Sequence, residues 1–145
     1  MSMQQPEVIR LDLPARYTYL HILSECIADM LRLVDGVSDA ETLTYNVQLA
    51  AHEACTNIVN HAYAGQSVGE GRIDVSLVLH PGTRRLEIEL RDTGRSFDPD
   101  VVPQPSLNEA QVHGYGLFLI RNLMDDVTYT SHAGKNHWNL VKNLS

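Results

Sequence analysis

The chain has 145 residues, 43% hydrophobic and 20% charged, a composition ordinary for a globular protein and unlike that of a disordered one. With 18 acidic against 11 basic residues, its formal net charge of -7 argues against general attraction to nucleic acid or anionic membranes. We therefore expect a single domain over residues 1–145 with its own core, whose partners are proteins or small molecules.

The cysteines and the N-terminal segment indicate a cellular compartment. Cys26 and Cys55 lie in predicted helices without CxxC spacing, so we expect both to be reduced, buried thiols. The N-terminal segment has no basic region followed by an apolar one, and no apolar run approaches the roughly 20 residues of a membrane span. These features predict a cytoplasmic protein that is neither exported nor inserted in a membrane.

The first part of the chain predicts a strand followed by two helices. Residues 8–13 alternate between apolar and polar side chains, as in a half-buried strand. Residues 15–34 carry apolar side chains at three- and four-residue steps, the pattern of an amphipathic helix that Gly36 closes. Ser38 and Glu41 form a capping-box pattern that predicts the start of the second helix.

A hairpin is predicted next, where the period changes to two. Residues 73–79 and 86–90 each alternate apolar with polar side chains, and Pro81-Gly82 marks the turn between them. Continuing the alternation past Leu90 places Asp92 on the inward, apolar face. A carboxylate there needs a specific donor or a water, so Asp92 is not an ordinary surface acid.

The last third predicts a long loop, a helix and two closing strands. Residues 93–113 contain three prolines and no sustained period, and a loop of this size is usually a lid or a disordered segment. Helical spacing resumes over residues 114–124. Residues 127–131 and 137–144 then resemble a pair of strands around a turn at Ala133-Gly134.

Several short motifs match by accident. The GQSVG stretch at residues 65–69 follows a helix and precedes a strand, the reverse of the order that a hydrolase nucleophile elbow needs. His52 and Glu53 begin a zinc-protease motif, but Thr56 stands where its second His is required. The GYG at residues 114–116 lacks the third glycine of a dinucleotide fingerprint. The sequence therefore predicts no serine hydrolase, zinc protease or Rossmann enzyme.

A polar stripe marks the second helix. Glu53, Asn57 and His61 follow one another at four-residue steps within HEACTNIVNHAY, which is otherwise typical of a buried helix. Alone, such a stripe is more often the solvent face of an amphipathic helix than a site. Two later stretches of the sequence, LRDTGRSFDPD and GYGLFLIRNLMDDV, favour a functional site.

Three stretches in the same order resemble a known family. EACTNIVNHAY, LRDTGRSFDPD and GYGLFLIRNLMDDV are similar to the N, G1 and G2 boxes of the GHKL (histidine-kinase-like) ATPase superfamily. More narrowly, they resemble the anti-sigma-factor serine kinases of bacterial partner-switching systems, over nearly the whole chain. The resemblance implies the Bergerat-type ATP-binding fold: an α/β, or α+β, two-layer sandwich with a mixed, mostly antiparallel sheet and helices on one face. It also implies ATP and Mg²⁺ as cofactors.

The resemblance assigns roles to the residues of the first two boxes. Glu53 becomes the general base, since a partly buried carboxylate can order or deprotonate an attacking hydroxyl. Asn57 offers an amide oxygen to Mg²⁺, which takes few protein ligands. Asp92 accepts a hydrogen bond from the exocyclic amine of adenine, and Gly94 lets the backbone approach the ring.

The third box is expected to bind phosphate. Gly114, Gly116 and Leu117 open a helix whose free N–H groups and positive dipole end suit phosphate oxygens. The loop before them becomes the ATP lid, with Phe97 and Asp98 as its anchors. Residues 111–113 lack the Arg that some relatives offer to phosphate.

The implied function is transfer of phosphate to a serine or threonine of a STAS-type anti-sigma factor antagonist. A sigma factor is expected as a further partner, and a homodimer is expected from the family. No direct contact with nucleic acid or membrane is expected. One alternative is a nucleotide-gated binding regulator with little or no kinase activity, favoured by the missing Arg and disfavoured by Glu53, because ATP binding alone needs no base. Another is a detached catalytic domain of a sensor histidine kinase, but a preceding helical pair with a phosphoacceptor His is absent from the sequence.

Overall fold

Five strands and three helices make up the described molecule, a computed structural model that describes residues 5–62, 71–94 and 115–145. In chain order the elements are β1 (Glu7–Pro14), a 3-10 turn (Tyr17–Tyr19), α1 (Leu20–Leu31), α2 (Ala40–Asn57), a π-helical turn (Ile58–Ala62), β2 (Arg72–His80), β3 (Arg85–Asp92), α3 (Tyr115–Leu123), β4 (Asp126–His132) and β5 (Lys135–Asn143). These elements confirm the predicted order of strands and helices.

The strands form one sheet in the order β1-β2-β3-β5-β4. All pairings among the described strands are antiparallel, so the parallel component of a mixed sheet is not found in this part of the chain. β1 pairs with β2 over the whole length of β1, Leu13 lying opposite Ile73. β5 lies between β3 and β4, so the last strand of the chain is inserted into the middle of the sheet. The predicted α/β class is confirmed.

Alternation along β3 separates the two faces of the sheet. Leu86, Ile88 and Leu90 are fully buried on the inner face, in one apolar cluster with residues of the three helices. The outer face carries partly buried polar side chains: Glu87 accepts from His80 at 2.5 Å, and Glu89 accepts from Arg91 at 2.9 Å. The sheet is therefore apolar toward the helices and charged on its other side.

Small side chains let α2 lie close to its neighbours. Ala50, Ala51 and Ala54 are 0 to 1% exposed, and α2 packs against both α1 and α3. Cys55 is also fully buried, and this burial raises the pKa of its thiol to about 12. Both cysteines are free thiols, as predicted, although Cys26 is only partly buried. Within the described ranges, no helix combines the length and the apolar character that crossing a membrane requires.

The start of α2 differs from the prediction. The predicted capping box of Ser38 and Glu41 is wrong, because the helix begins one residue later with Asp39 as its N-cap. The Asp39 carboxylate accepts a hydrogen bond from the Thr42 N–H at 3.4 Å, and its backbone is left-handed, with φ of 49°. Asp is one of the few residues that tolerate this conformation and also cap a helix, which explains the shift.

We predict that Asp39→Ala lowers the free energy of unfolding by about 1 to 2 kcal/mol, because alanine loses the cap and does not relieve the left-handed backbone. Asp39→Asn, which keeps an acceptor oxygen and tolerates positive φ, is the matched control and should remain close to wild type. Urea unfolding of both variants measures this. Equal stability of the two variants would show that the cap contributes nothing.

Candidate functional site

The last turn of α2 and the first turn of α3 meet at three predicted site residues. Glu53 and Asn57 lie one helical turn apart on the same face of α2, and both are half-buried. Gly116, the second residue of α3, is buried against them. A Cβ added there would lie 3.1 Å from Glu53 Oε2 and 3.5 Å from Asn57 Nδ2 and Oδ1. Glycine is therefore what allows this close approach.

The contact sets a helix N-terminus beside a carboxylate and an amide. The first backbone N–H groups of α3 have no partner inside the helix, and the helix dipole adds positive charge there. Amide and carboxylate oxygens are ligands that Mg²⁺ accepts one or two at a time while it keeps waters and phosphate oxygens. In the described ranges, no three His, Cys, Asp or Glu side chains come together to hold a metal. The donor set fits Mg²⁺ held jointly with a phosphorylated ligand.

A π-helical turn directly follows Asn57. Residues 58–62 are wound more widely than an α-helix, so a four-residue step from Asn57 no longer returns to the same face. The polar stripe is thus confirmed for Glu53 and Asn57, and the side chain of His61 lies outside the described part. Tyr17 Oη donates to Asn60 Oδ1 and ties this turn to the 3-10 turn after β1.

A second group of polar side chains surrounds Asp92 at the end of β3. Asp92 is 5% exposed, and its Oδ1 accepts from the Gly94 N–H at 2.9 Å and from Asn136 Nδ2 at 2.8 Å. Asn136 Nδ2 also donates to the Gly94 carbonyl at 3.0 Å, and Ser131 Oγ donates to Asn136 Oδ1 at 2.9 Å. The predicted inward position of Asp92 and its need for specific donors are confirmed.

Burial sets the electrostatics of Asp92. It raises the pKa of the carboxyl above its ordinary value of 3.8, and the hydrogen bonds from Asn136 and Gly94 partly offset the shift. All described hydrogen bonds to this carboxylate use Oδ1. Oδ2 is therefore the oxygen left to accept from a ligand.

A cavity of about 500 Å³ opens beside Asp92, at the edge of the sheet where β3 ends and β2 and β5 begin. It is lined by Arg72, Asp74, Arg91, Asp92, Thr93, Lys135, Asn136 and His137. Its volume is in the range of small-molecule sites. Arg72, Asp74, Arg91 and His137 alternate with the buried residues of their strands, so the cavity lies toward the outer face of the sheet, with Asp92 and Asn136 at its border.

Other predicted site residues lie outside these two groups. Gly114, the anchors Phe97 and Asp98, and the predicted lid beyond Gly94 lie outside the described residues. Leu117 is 3% exposed, with its side chain in the hydrophobic core. Its backbone, in the first turn of α3, can therefore face a ligand, whereas its side chain cannot.

Asn136 and Ser131 were not among the predicted site residues. Asn136 follows the same alternation as the buried Trp138 and Leu140, so the inward direction of its side chain was visible in the pattern of β5. Its pairing with Asp92 depends on the register between two distant strands, which the pattern alone does not specify.

Comparison with known proteins identifies the family. Residues 13–142 match the model of the histidine kinase-like ATPase domain. The chain belongs to this family. Among relatives, this ATPase domain is 32% identical to the serine-protein kinase RsbW of Halalkalibacterium halodurans, over 92% of this chain and 82% of that protein. RsbW of Bacillus subtilis is 31% identical, over 88% of this chain and 81% of its own length. These relatives confirm the narrower resemblance to the anti-sigma-factor serine kinases.

Two solved structures illustrate the same fold in other proteins. The RsbU and RsbW domains of Rv1364c from Mycobacterium tuberculosis align with a TM-score of 0.67 and 18% identity over 95% of this ATPase domain, which spans 32% of that chain. The histidine kinase domain of the EL346 blue-light activated histidine kinase from Erythrobacter litoralis aligns with a TM-score of 0.55 and 18% identity, covering 90% of this chain and 61% of that one. Both support the predicted fold.

We predict that Asp92→Asn folds as well as wild type and becomes relatively more stable as pH rises. Asparagine keeps an oxygen for both donors that bind Oδ1, so only the charge is lost. Because burial raises the pKa of the Asp92 carboxyl, wild type benefits from this group below its ordinary value of 3.8 and loses the benefit as pH rises through the higher value in the folded protein.

Urea unfolding of wild type and Asp92→Asn at several pH values from about 3 to 7 measures the difference. Asp74→Asn, which changes an exposed carboxylate on β2, is the control and should show no such divergence. Parallel stability curves for Asp92→Asn and wild type would contradict the prediction.

We predict that Gly116→Ala separates stability from activity. Alanine is favoured over glycine in a helix by up to about 1 kcal/mol, so unfolding should be unchanged or slightly harder. The new Cβ, 3.1 Å from Glu53 Oε2, displaces that carboxylate, and phosphate transfer should fall roughly tenfold to a hundredfold.

Thermal unfolding and a phosphate-transfer assay test Gly116→Ala together. Gly36→Ala gives the reverse pattern as a control, because its φ of +73° strains an alanine while the residue lies in the loop between α1 and α2. Full activity of Gly116→Ala would show that the approach of α3 to Glu53 is not needed.

Proposed function

We propose that this chain is an ATP-dependent serine/threonine protein kinase that phosphorylates a STAS-type anti-sigma factor antagonist and binds a sigma factor as a second partner. The proposal includes a cytoplasmic location, a single domain over residues 1–145, a homodimer and no direct contact with nucleic acid or membrane. Its support is membership of the ATPase family, the RsbW relatives named serine-protein kinases, and a formal charge of -7.

The observation that carries the proposal is the meeting of Glu53 and Asn57 with Gly116. Phosphate alone would be bound better without a negative charge beside it. The carboxylate at this helix N-terminus therefore indicates a role beyond phosphate binding. A carboxylate there is useful for a reaction in which a hydroxyl attacks the bound phosphate. This favours transfer over binding alone.

The nucleotide is held from both ends in this proposal. Asp92 Oδ2 accepts from the exocyclic amine of adenine, and Gly94 provides room for the ring. The phosphates lie at the first turn of α3, on the backbone N–H groups of Gly116 and Leu117. Gly114, which the resemblance also assigns to phosphate, lies outside the described residues. The Asn57 amide oxygen would hold Mg²⁺, which would supply neutralisation of phosphate charge.

Glu53 acts on the substrate serine or threonine. Its carboxylate accepts the hydrogen of the incoming hydroxyl and orients the oxygen for attack on the γ-phosphate. Phosphoryl transfer depends mainly on such positioning and on charge neutralisation, with little covalent work for the protein. The half-buried position of Glu53, fixed by α2 on one side and Gly116 on the other, restricts its movement.

The test is transfer from labelled ATP and Mg²⁺ to candidate STAS-type proteins from the same genome, with calorimetry of ATP binding on the same preparations. Glu53→Gln keeps the shape of the side chain but removes the base, so we expect transfer to fall about a hundredfold or more with ATP affinity nearly unchanged. Glu41→Gln, an exposed residue in the first turn of the same helix, is the matched control.

The outcomes separate the candidate functions. Labelling by wild type that is lost in Glu53→Gln supports the kinase. ATP binding without labelling of any candidate would favour a nucleotide-gated binding regulator. Absence of ATP binding, or loss of binding in Glu41→Gln, would contradict the proposed site.

A further inference from the structure

Asn136 contacts both Asp92 and Gly94, at and just after the end of β3. It is 2% exposed, and its Nδ2 donates both to Asp92 Oδ1 at 2.8 Å and to the Gly94 carbonyl at 3.0 Å. The amide has two hydrogens, so these contacts account for its donors. One side chain therefore holds both the carboxylate and the backbone two residues further along the chain.

The sheet gives this contact its rigidity. Asp92 and Asn136 are direct cross-strand partners in the pairing of β3 with β5, two strands that lie inside the sheet. Opposite residues on one face of an antiparallel pair hold their Cβ atoms about 5 Å apart, a distance that two short side chains bridge directly. The geometry thus comes from the register of the strands.

We propose that Asn136 is a positioning residue that determines selectivity for adenine by fixing the Asp92 carboxylate. This inference rests on the proposed binding of ATP. Two donors hold Oδ1 in place, one from Asn136 and one from Gly94, so the carboxylate does not rotate and Oδ2 is kept in one direction. Asn136 acts through Asp92 and does not itself bind the base.

Ser131 determines which way the amide points. Its hydroxyl donates to Asn136 Oδ1 at 2.9 Å, which keeps the oxygen on the β4 side and the Nδ2 hydrogens toward Asp92. A flipped amide would set its oxygen against the carboxylate and leave Gly94 without this donor. Through these hydrogen bonds, the exposed hydroxyl of Ser131 orients the Asn136 amide. The amide in turn orients the buried carboxylate of Asp92.

The test compares two nucleotides that differ at the reading position. Purine riboside triphosphate lacks the exocyclic amine of ATP and has nothing to donate to Asp92. We expect Asn136→Ala to weaken ATP binding by about tenfold, the loss of a well-placed hydrogen bond to a charged group, and to leave purine riboside triphosphate within about twofold. Calorimetry in Mg²⁺ measures both affinities.

Asn139→Ala is the matched control, because the same change on the same strand removes a donor to Glu87 on the outer face. It should leave the ratio of the two affinities unchanged. In the Asp92→Asn background, Asn136→Ala should also leave the ratio unchanged, because the carboxylate that it positions is gone. A ratio that still changes there would overturn the proposal.

Two further results would overturn it with the kinase proposal intact. One is equal weakening of both nucleotides in Asn136→Ala, which indicates general collapse of the site, and the other is unaltered ATP affinity. If Asn136→Ala does not fold, Ser131→Ala decides: a two- to threefold loss of preference for ATP supports the relay, and none contradicts it. A wild type that binds no ATP would overturn both proposals.

Discussion

A carboxylate buried at the end of a central strand has to be satisfied, and much of the structure is arranged around that requirement. Asp92 continues the apolar face of β3, where water is scarce, and its donors come from Gly94 and from Asn136 on β5. The insertion of β5 between β3 and β4 places Asn136 opposite it. The position of β5 in the sheet therefore also provides the donor that the Asp92 carboxylate requires.

The proposed site divides its work between the two layers of the fold. The sheet provides the rigid end of the proposed site, where the register of the strands places Asp92 within side-chain reach of its donors. The helices provide the charged end, where the close packing of α2 and α3 sets Glu53 and Asn57 against Gly116. Burial of small residues such as Ala54 makes that packing possible.

Local periodicity made most of the fold predictable, because alternation in β3 and helical spacing in α2 depend on neighbouring residues. The direction of Asp92 followed from the same alternation. Features that depend on a single backbone choice did not follow: the left-handed Asp39 replaced the capping box, and the π-helical turn has no residue signature. Asn136 was left out of the predicted site because its segment resembles the family's last ATP-contacting stretch only loosely. Its contact with Asp92 depends on non-local register, which the pattern does not specify.

The pairing of Leu13 with Ile73 has a consequence for how the chain reaches its fold. β1 is made first, yet its partner β2 emerges only after both α1 and α2. Closing so long a segment slows folding, because chain entropy is lost before any strand contact forms. β1 is an edge strand and holds none of the proposed site residues. The helices and the inner strands can therefore assemble the proposed nucleotide site before β1 pairs with β2 at the edge of the sheet.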